Sequence, residues 1–143
     1  MYVVYLAGAI QGKEDSSKIV VWRRKATEVL EDYGIKTFNP LYKYNRVKHK
    51  MMPGEIVALD LMMLRQSDII LANVSDPKHN YFGTTSEIVI GQQLGKLIVL
   101  IYGKNENVPH SWISVYATKM FKEVTDALTY IVSLSGGVFR DES

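Results

Sequence analysis

The stretch DIILANVSDPKHNYFGTTSEIVIGQQLGKLIVLIYG, residues 68–103, decides the fold. DIILANV (68–74) is a short run of branched apolar residues, and KLIVLIYG (96–103) repeats the pattern. Neither alternates apolar with polar, so each reads as a strand covered on both faces of a sheet. Between them TSEIVIGQQLG (85–95) has helical spacing and a closing glycine. Two doubly covered strands joined through a helix make a parallel crossover, because antiparallel neighbours need only a tight turn.

The same alternation extends outward in both directions. YVVYLAG (2–8) is a first buried strand closed by Gly8. In residues 16–34, Ile19, Trp22, Ala26, Val29, Leu30 and Tyr33 recur at helical spacing, with Ser16 or Ser17 to cap the start and Gly34 to end it. IKTF (35–38) is a second strand, stopped by Asn39-Pro40, and Pro53 suits the first turn of a helix running to about Gln66. Towards the C-terminus, WISVYA (112–117) reads as a fifth strand. FKEVTDALTYIVSL (121–134) is a last helix with Phe121, Val124, Leu128, Ile131 and Val132 on one face. The expectation is a single α/β domain over 1–143: an open parallel sheet of about five strands with helices on both faces.

Composition excludes several function classes. Apolar residues make up 47% of the chain and charged residues 22%, as in an ordinary globular domain. A formal net charge of +2 is too small to argue for a nucleic-acid polymer, and the densest basic stretch, YKYNRVKHK (42–50), reads as a solvated loop. There is no cysteine, hence no disulfide or thiolate chemistry. No apolar run approaches the roughly 20 residues of a membrane helix. MYVVYLAG lacks the charged start of a signal peptide, which makes the cytoplasm the expected compartment. His49, His79 and His110 have no metal-ligand spacing, and no G-x-G-x-x-G or phosphate loop is present, so neither metal nor cofactor is expected.

In an open parallel sheet, ligands bind outside the carboxyl ends of the strands. That rule selects the loops AGAIQGKED (7–15) and SDPKHNYFGT (75–84). Glu87, just beyond the second loop, has two readings. Thr84-Thr85-Ser86-Glu87 fits a capping box, in which the glutamate reaches back to the cap's amide. Alternatively, Gly83 and the small hydroxyl residues leave the helix mouth open, and Glu87 turns with Gly91 towards the sheet, ionised by the helix dipole and ready to act as a nucleophile. Asp60 interrupts the apolar stripe Ile56, Val57, Met63, Leu64. Burial raises the pKa of such an acid, which is either held by backbone amides or used as a proton donor. Asp68 reads as a turn residue. Tyr5, buried on the first strand, is core unless its hydroxyl meets Glu87 from the neighbouring strand's helix.

The ordered set YLAGAI, WRRKATEVLEDYGIKTFNP, DLMMLRQSDIILANV, FGTTSE and GQQLGKLIVLI resembles the nucleoside 2-deoxyribosyltransferase-like superfamily, which includes 2'-deoxynucleoside 5'-monophosphate N-glycosidases. The resemblance spans residues 2 to 132 and implies a flavodoxin-like sheet and a homodimer or larger oligomer with shared sites. It implies nucleosides or nucleotides and free nucleobases as small-molecule partners. It makes Glu87 the nucleophile, Asp60 the residue assisting departure of the base, and Tyr5 the group orienting the nucleophile. Gly8, Ala9 and Ile10 of the first loop, and Asp76, Gly83 and Thr84 of the second, would bind substrate. The chain departs from the pattern in carrying Ala9 where such loops commonly have proline. Gly8 and Gly12, with Ser16, Ser17 and Lys18, could seat a 5'-phosphate, although Glu14 and Asp15 oppose it. A phosphoribohydrolase would carry Pro-Gly-Gly where this chain has HNY, and a non-catalytic nucleotide-binding domain of the same fold is the rival from another class.

Overall fold

Five strands pair in parallel in the order β2-β1-β3-β4-β5. They are β1 (Val3–Gly8), β2 (Lys36–Phe38), β3 (Ile69–Asn73), β4 (Leu97–Ile101) and β5 (Lys119–Phe121). The helices are α1 (Ser17–Asp32), α2 (Pro53–Arg65), α3 (Phe82–Gln93), α4 (Ser111–Ser114) and α5 (Val124–Leu134). This computed structural model describes residues 2–10, 17–40, 50–77, 79–103 and 109–136. Gly12 and Ser16 of the expected phosphate seat, residues 42–49 of the basic stretch and the tail from 137 lie outside the described residues.

The strand order is that of a flavodoxin-like sheet, with its topological switch between β1 and β3. Alternation along each strand feeds two cores. Val4, Leu6, Ile69, Leu71, Val99 and Ile101 pack on one face with Ala26 and Leu30 of α1 and Leu128 and Ile131 of α5. Tyr5, Ile70, Ala72, Ile98 and Leu100 face the other way, against Leu64 of α2, Ile88 of α3 and Ile113 of α4. Burial of both faces is why these strands read as unbroken apolar runs. Asp68 is the turn residue expected: its Oδ2 accepts from the Val3 amide at 2.8 Å, and its own amide donates to the Val3 carbonyl at 2.8 Å.

The fifth strand is not where the sequence places it. WISVYA opens as the short helix α4, because His110 Nδ1 accepts from the Trp112 amide at 3.2 Å and the Ser114 hydroxyl donates to the Pro109 carbonyl at 2.9 Å. These local hydrogen bonds override the β propensity of Ile113 and Val115. The strand is instead Lys119–Phe121, anchored where the Thr118 amide donates to the Ile98 carbonyl and the Thr118 hydroxyl accepts from the Ile98 amide. Phe121 accordingly belongs to β5 and not to the last helix. Val57, expected on a buried stripe, is 56% exposed, whereas Leu64 of that stripe is fully buried.

Gly91 lets α3 lie close on β3, since a Cβ there would run into the Ile70 Cδ1 methyl. Gly91→Ala gains up to about 1 kcal/mol of helix propensity, but overpacking costs roughly 1–3 kcal/mol. The expected outcome is a lower urea midpoint. A midpoint at or above wild type would show that Ile70 yields freely.

Candidate active site

Three elements meet on the face of the sheet that carries Tyr5. β1 supplies Tyr5, α2 supplies Asp60, and α3 supplies Glu87 from its second turn. The capping box is not formed. Helix α3 begins at Phe82 with Tyr81 as its cap residue, and the Thr85 amide donates to the Tyr81 carbonyl at 2.8 Å. The helix starts early because Tyr81 closes the preceding loop: its hydroxyl donates to the Asp76 carbonyl at 2.9 Å and accepts from the Asp76 amide at 3.0 Å. Burial raises the Tyr81 phenol to about 12, so it keeps the proton that this closure uses. Glu87 is thereby left a full turn inside the helix, and its side chain is free of capping duty.

Glu87 is also less acidic than the helix dipole alone would make it. Burial is the largest influence and pushes its carboxyl up to about 7; Asp60 adds to the rise, while donation from Tyr5 and the charge of Arg23 oppose it. Near neutral pH the group is poised between acid and carboxylate. Tyr5 is held firmly protonated, first by burial and then by the negative charges of Glu87 and Asp60. Its hydroxyl acts on Glu87 as a donor, yet among the described residues neither Tyr5 Oη nor Glu87 Oε2 completes a hydrogen bond of ordinary length and angle. Two buried polar atoms side by side with unspent hydrogen-bonding capacity are a place for a third group.

The remaining residues named from sequence divide. Gly8 sits opposite Asn73 across the β1–β3 switch, where an added Cβ would lie 3.1 Å from both the Asn73 carbonyl oxygen and the Trp22 ring. Ala9 is buried, and half-buried Ile10 and Tyr81 pack around it with Ile19. Gly83 is exposed and open, with nothing within 4 Å of where its Cβ would stand, while Thr84 is only 4% exposed. Asp76 lines a separate cleft of about 780 Å³ with Tyr81, Thr85, Tyr102, His110 and Trp112. That cleft borders the Phe82–Thr85–Val89 side of α3, and Tyr5, Asp60 and Glu87 do not line it. Tyr5, Asp60 and Glu87 are therefore brought together, while Asp76 lines the other cleft.

Two site residues escape a reading of the sequence. Asn73 is a buried amide at the end of β3, its Oδ1 accepting from the Ser75 amide at 3.0 Å. Arg23 is fully buried at the end of β1, within electrostatic reach of Tyr5, Asp60 and Glu87. Its spacing from Ile19, Ala26 and Leu30 places it on the apolar face of α1, the one sign available in advance. Among the described residues no cluster of three or more His, Asp or Glu is placed to hold a metal ion. Nor is any described helix long and apolar enough to cross a membrane.

Comparison with known proteins gives a sequence model of the nucleoside 2-deoxyribosyltransferase family that matches residues 4–132. Among solved structures, the fold is similar to a 2-deoxyribosyltransferase of Bacillus psychrosaccharolyticus, at 22% identity, 90% and 91% coverage of the two chains and a TM-score of 0.66. It is similar to a 2-desoxiribosyltransferase from Leishmania mexicana, at 16% identity, 93% and 98% coverage and a TM-score of 0.73. A CMP N-glycosidase of Clostridium botulinum, BcmB, follows at 20% identity, 92% and 98% coverage and a TM-score of 0.61. No significant match arises among curated protein sequences.

Proposed function

The chain belongs to the nucleoside 2-deoxyribosyltransferase family, and from that premise we propose that it cleaves the N-glycosidic bond of 2'-deoxyribonucleosides or their 5'-monophosphates, passing the deoxyribosyl group to a second nucleobase. The observation that carries this reading is Glu87, a buried carboxyl balanced near neutrality between a tyrosine donor and a second acid. In the first step the ionised Glu87 oxygen bonds to the anomeric carbon as the carbon–nitrogen bond breaks. The bonding pair leaves on the base nitrogen, which Asp60 relieves by a proton or a hydrogen bond. Tyr5 holds the attacking carboxylate in line. In the second step a nitrogen of the incoming base attacks the same carbon, its N–H proton passes to Asp60, and Glu87 departs as a carboxylate. Gly8, Ala9 and Ile10 form one wall of the substrate site, and the Gly83–Thr84 turn forms part of the other. Asp76 is a base-binding acid in this reading only if the loop that Tyr81 closes opens towards Glu87.

The family fold works here as a homodimer or larger assembly in this proposal. Val57 and Met62 on α2, Phe82 at the start of α3, Trp112 on α4 and Val115 just after it leave large apolar side chains exposed. The deciding experiment incubates the protein with a panel of deoxynucleosides and their 5'-monophosphates, with and without an acceptor base, and separates the products. Exchange of bases supports transfer. Release of free sugar without an acceptor assigns water as the acceptor and makes the protein an N-glycosidase. Binding without turnover across the panel assigns a nucleotide-binding role and overturns the enzymatic reading.

A further inference from the structure

A guanidinium is costly to bury, and that of Arg23 is entirely withdrawn from solvent. The sheet itself explains the position. β2 pairs with β1 only as far as Tyr5 opposite Phe38, and Asn39-Pro40 then turns the chain away. The Leu6 and Gly8 carbonyls lie beyond that point, with no β2 residue across from them. Arg23 takes the place of the missing strand: Nη1 donates to the Leu6 carbonyl at 2.9 Å and to Asn39 Oδ1 at 3.1 Å, and Nη2 donates to the Gly8 carbonyl at 3.3 Å. The Trp22 ring lies 5.0 Å from the guanidinium carbon. A planar fork suits this task, whereas the compact ammonium of lysine does not match its geometry.

All three of these acceptors are neutral, so they solvate the cation without balancing it. Nε has no partner. Burial lowers the guanidinium to about 10, and the groups that act against that fall are Tyr5 from β1, Glu87 from α3 and Asp60 from α2. The guanidinium therefore stays charged at neutral pH.

We propose that Arg23 is a positioning residue of this site: its buried fork clamps the end of β1 that carries Tyr5 and Gly8, and its charge balances that of Glu87 without touching substrate. The inference goes beyond the proposed reaction, because the coupling of Arg23 to Glu87 is a property of the folded protein and is measured without turnover. Removing the cation takes away an attraction for ionised Glu87, leaving burial and Asp60 to raise its titration further.

The test follows the Glu87 carboxyl by carbon NMR in the wild type, R23K and R23M, with melting temperatures at pH 5 and pH 8. R23M is expected to raise the Glu87 midpoint by about one unit or more, the effect of losing a nearby opposite charge. R23K, which keeps a cation, is expected to shift it less while still lowering the melting temperature through the lost fork. R23M should also lose more stability at pH 8 than at pH 5, and adding E87Q should abolish that difference. An unchanged midpoint in R23M, or a stability loss that is the same at both pH values, overturns the charge-balancing role. Should R23M fail to fold, the wild type and E87Q decide: the Arg23 Nε resonance should move with a midpoint near 7 in the wild type and stay flat in E87Q. A flat wild-type titration overturns the proposal. Failure of base exchange in the substrate panel would leave these readouts untouched.

Discussion

Glu87→Gln is expected to lose base release by on the order of 10³-fold or more and yet to melt above wild type at pH 8. The rate loss follows from removing the proposed nucleophile, since an amide oxygen cannot form the glycosyl ester. The stability gain follows from the raised carboxyl. In the folded chain Glu87 keeps its proton up to about pH 7, whereas unfolded glutamate releases it near its ordinary value of about 4.3. Between those values the folded state binds more protons, so stability falls as pH rises through that window and levels off above it. At pH 8 the ionised, buried carboxylate costs roughly 3–4 kcal/mol, which glutamine avoids. Below about pH 4 both states are protonated and the advantage disappears. The acid limb of kcat/KM in the wild type should rise through about pH 7 for the same reason. Comparable base release by Glu87→Gln would remove Glu87 from the mechanism. A melting-temperature difference that ignores pH would mean that the carboxyl is not buried as described.

Legibility in the sequence followed burial. β1, β3 and β4 are covered on both faces, so their composition alone announces them, and the helices between them carry apolar faces at helical spacing. β5 has three residues at a sheet edge, with Lys119 exposed, and no periodic pattern survives in so short a run. The β-branched residues just before it were captured by a cap at His110 that composition does not advertise. The site divides in the same way. Tyr5 and Asp60 are conspicuous, one a phenol in an apolar strand and the other an acid on an apolar stripe. Glu87 is visible in the sequence but its place in the helix is not, because the helix start depends on Tyr81 folding back onto the Asp76 backbone. Arg23 does not stand out among the basic residues of WRRK, since the gap it fills exists only where β2 stops.

Asp60→Asn should change two things in directions that no purely structural role predicts together. Asp60 is half-buried on α2, and its charge acts on Tyr5, Arg23 and Glu87. Asparagine is nearly isosteric and still hydrogen-bonds, but it cannot supply a proton to a departing base. Turnover of natural substrates is therefore expected to fall by ~10²–10⁴-fold, the usual worth of a general acid, with KM little changed. Substrates whose bases leave readily need less protonation and should lose far less. At the same time the negative charge that helps raise Glu87 is gone, so the acid limb of kcat/KM should move to lower pH, opposite to the shift expected for R23M. An Asp60 that only holds the fold would reduce all substrates alike through instability and leave the limb in place. If activated and natural substrates lose equally and the limb stays put, Asp60 is a structural acid, and protonation of the leaving base must be sought elsewhere in the site.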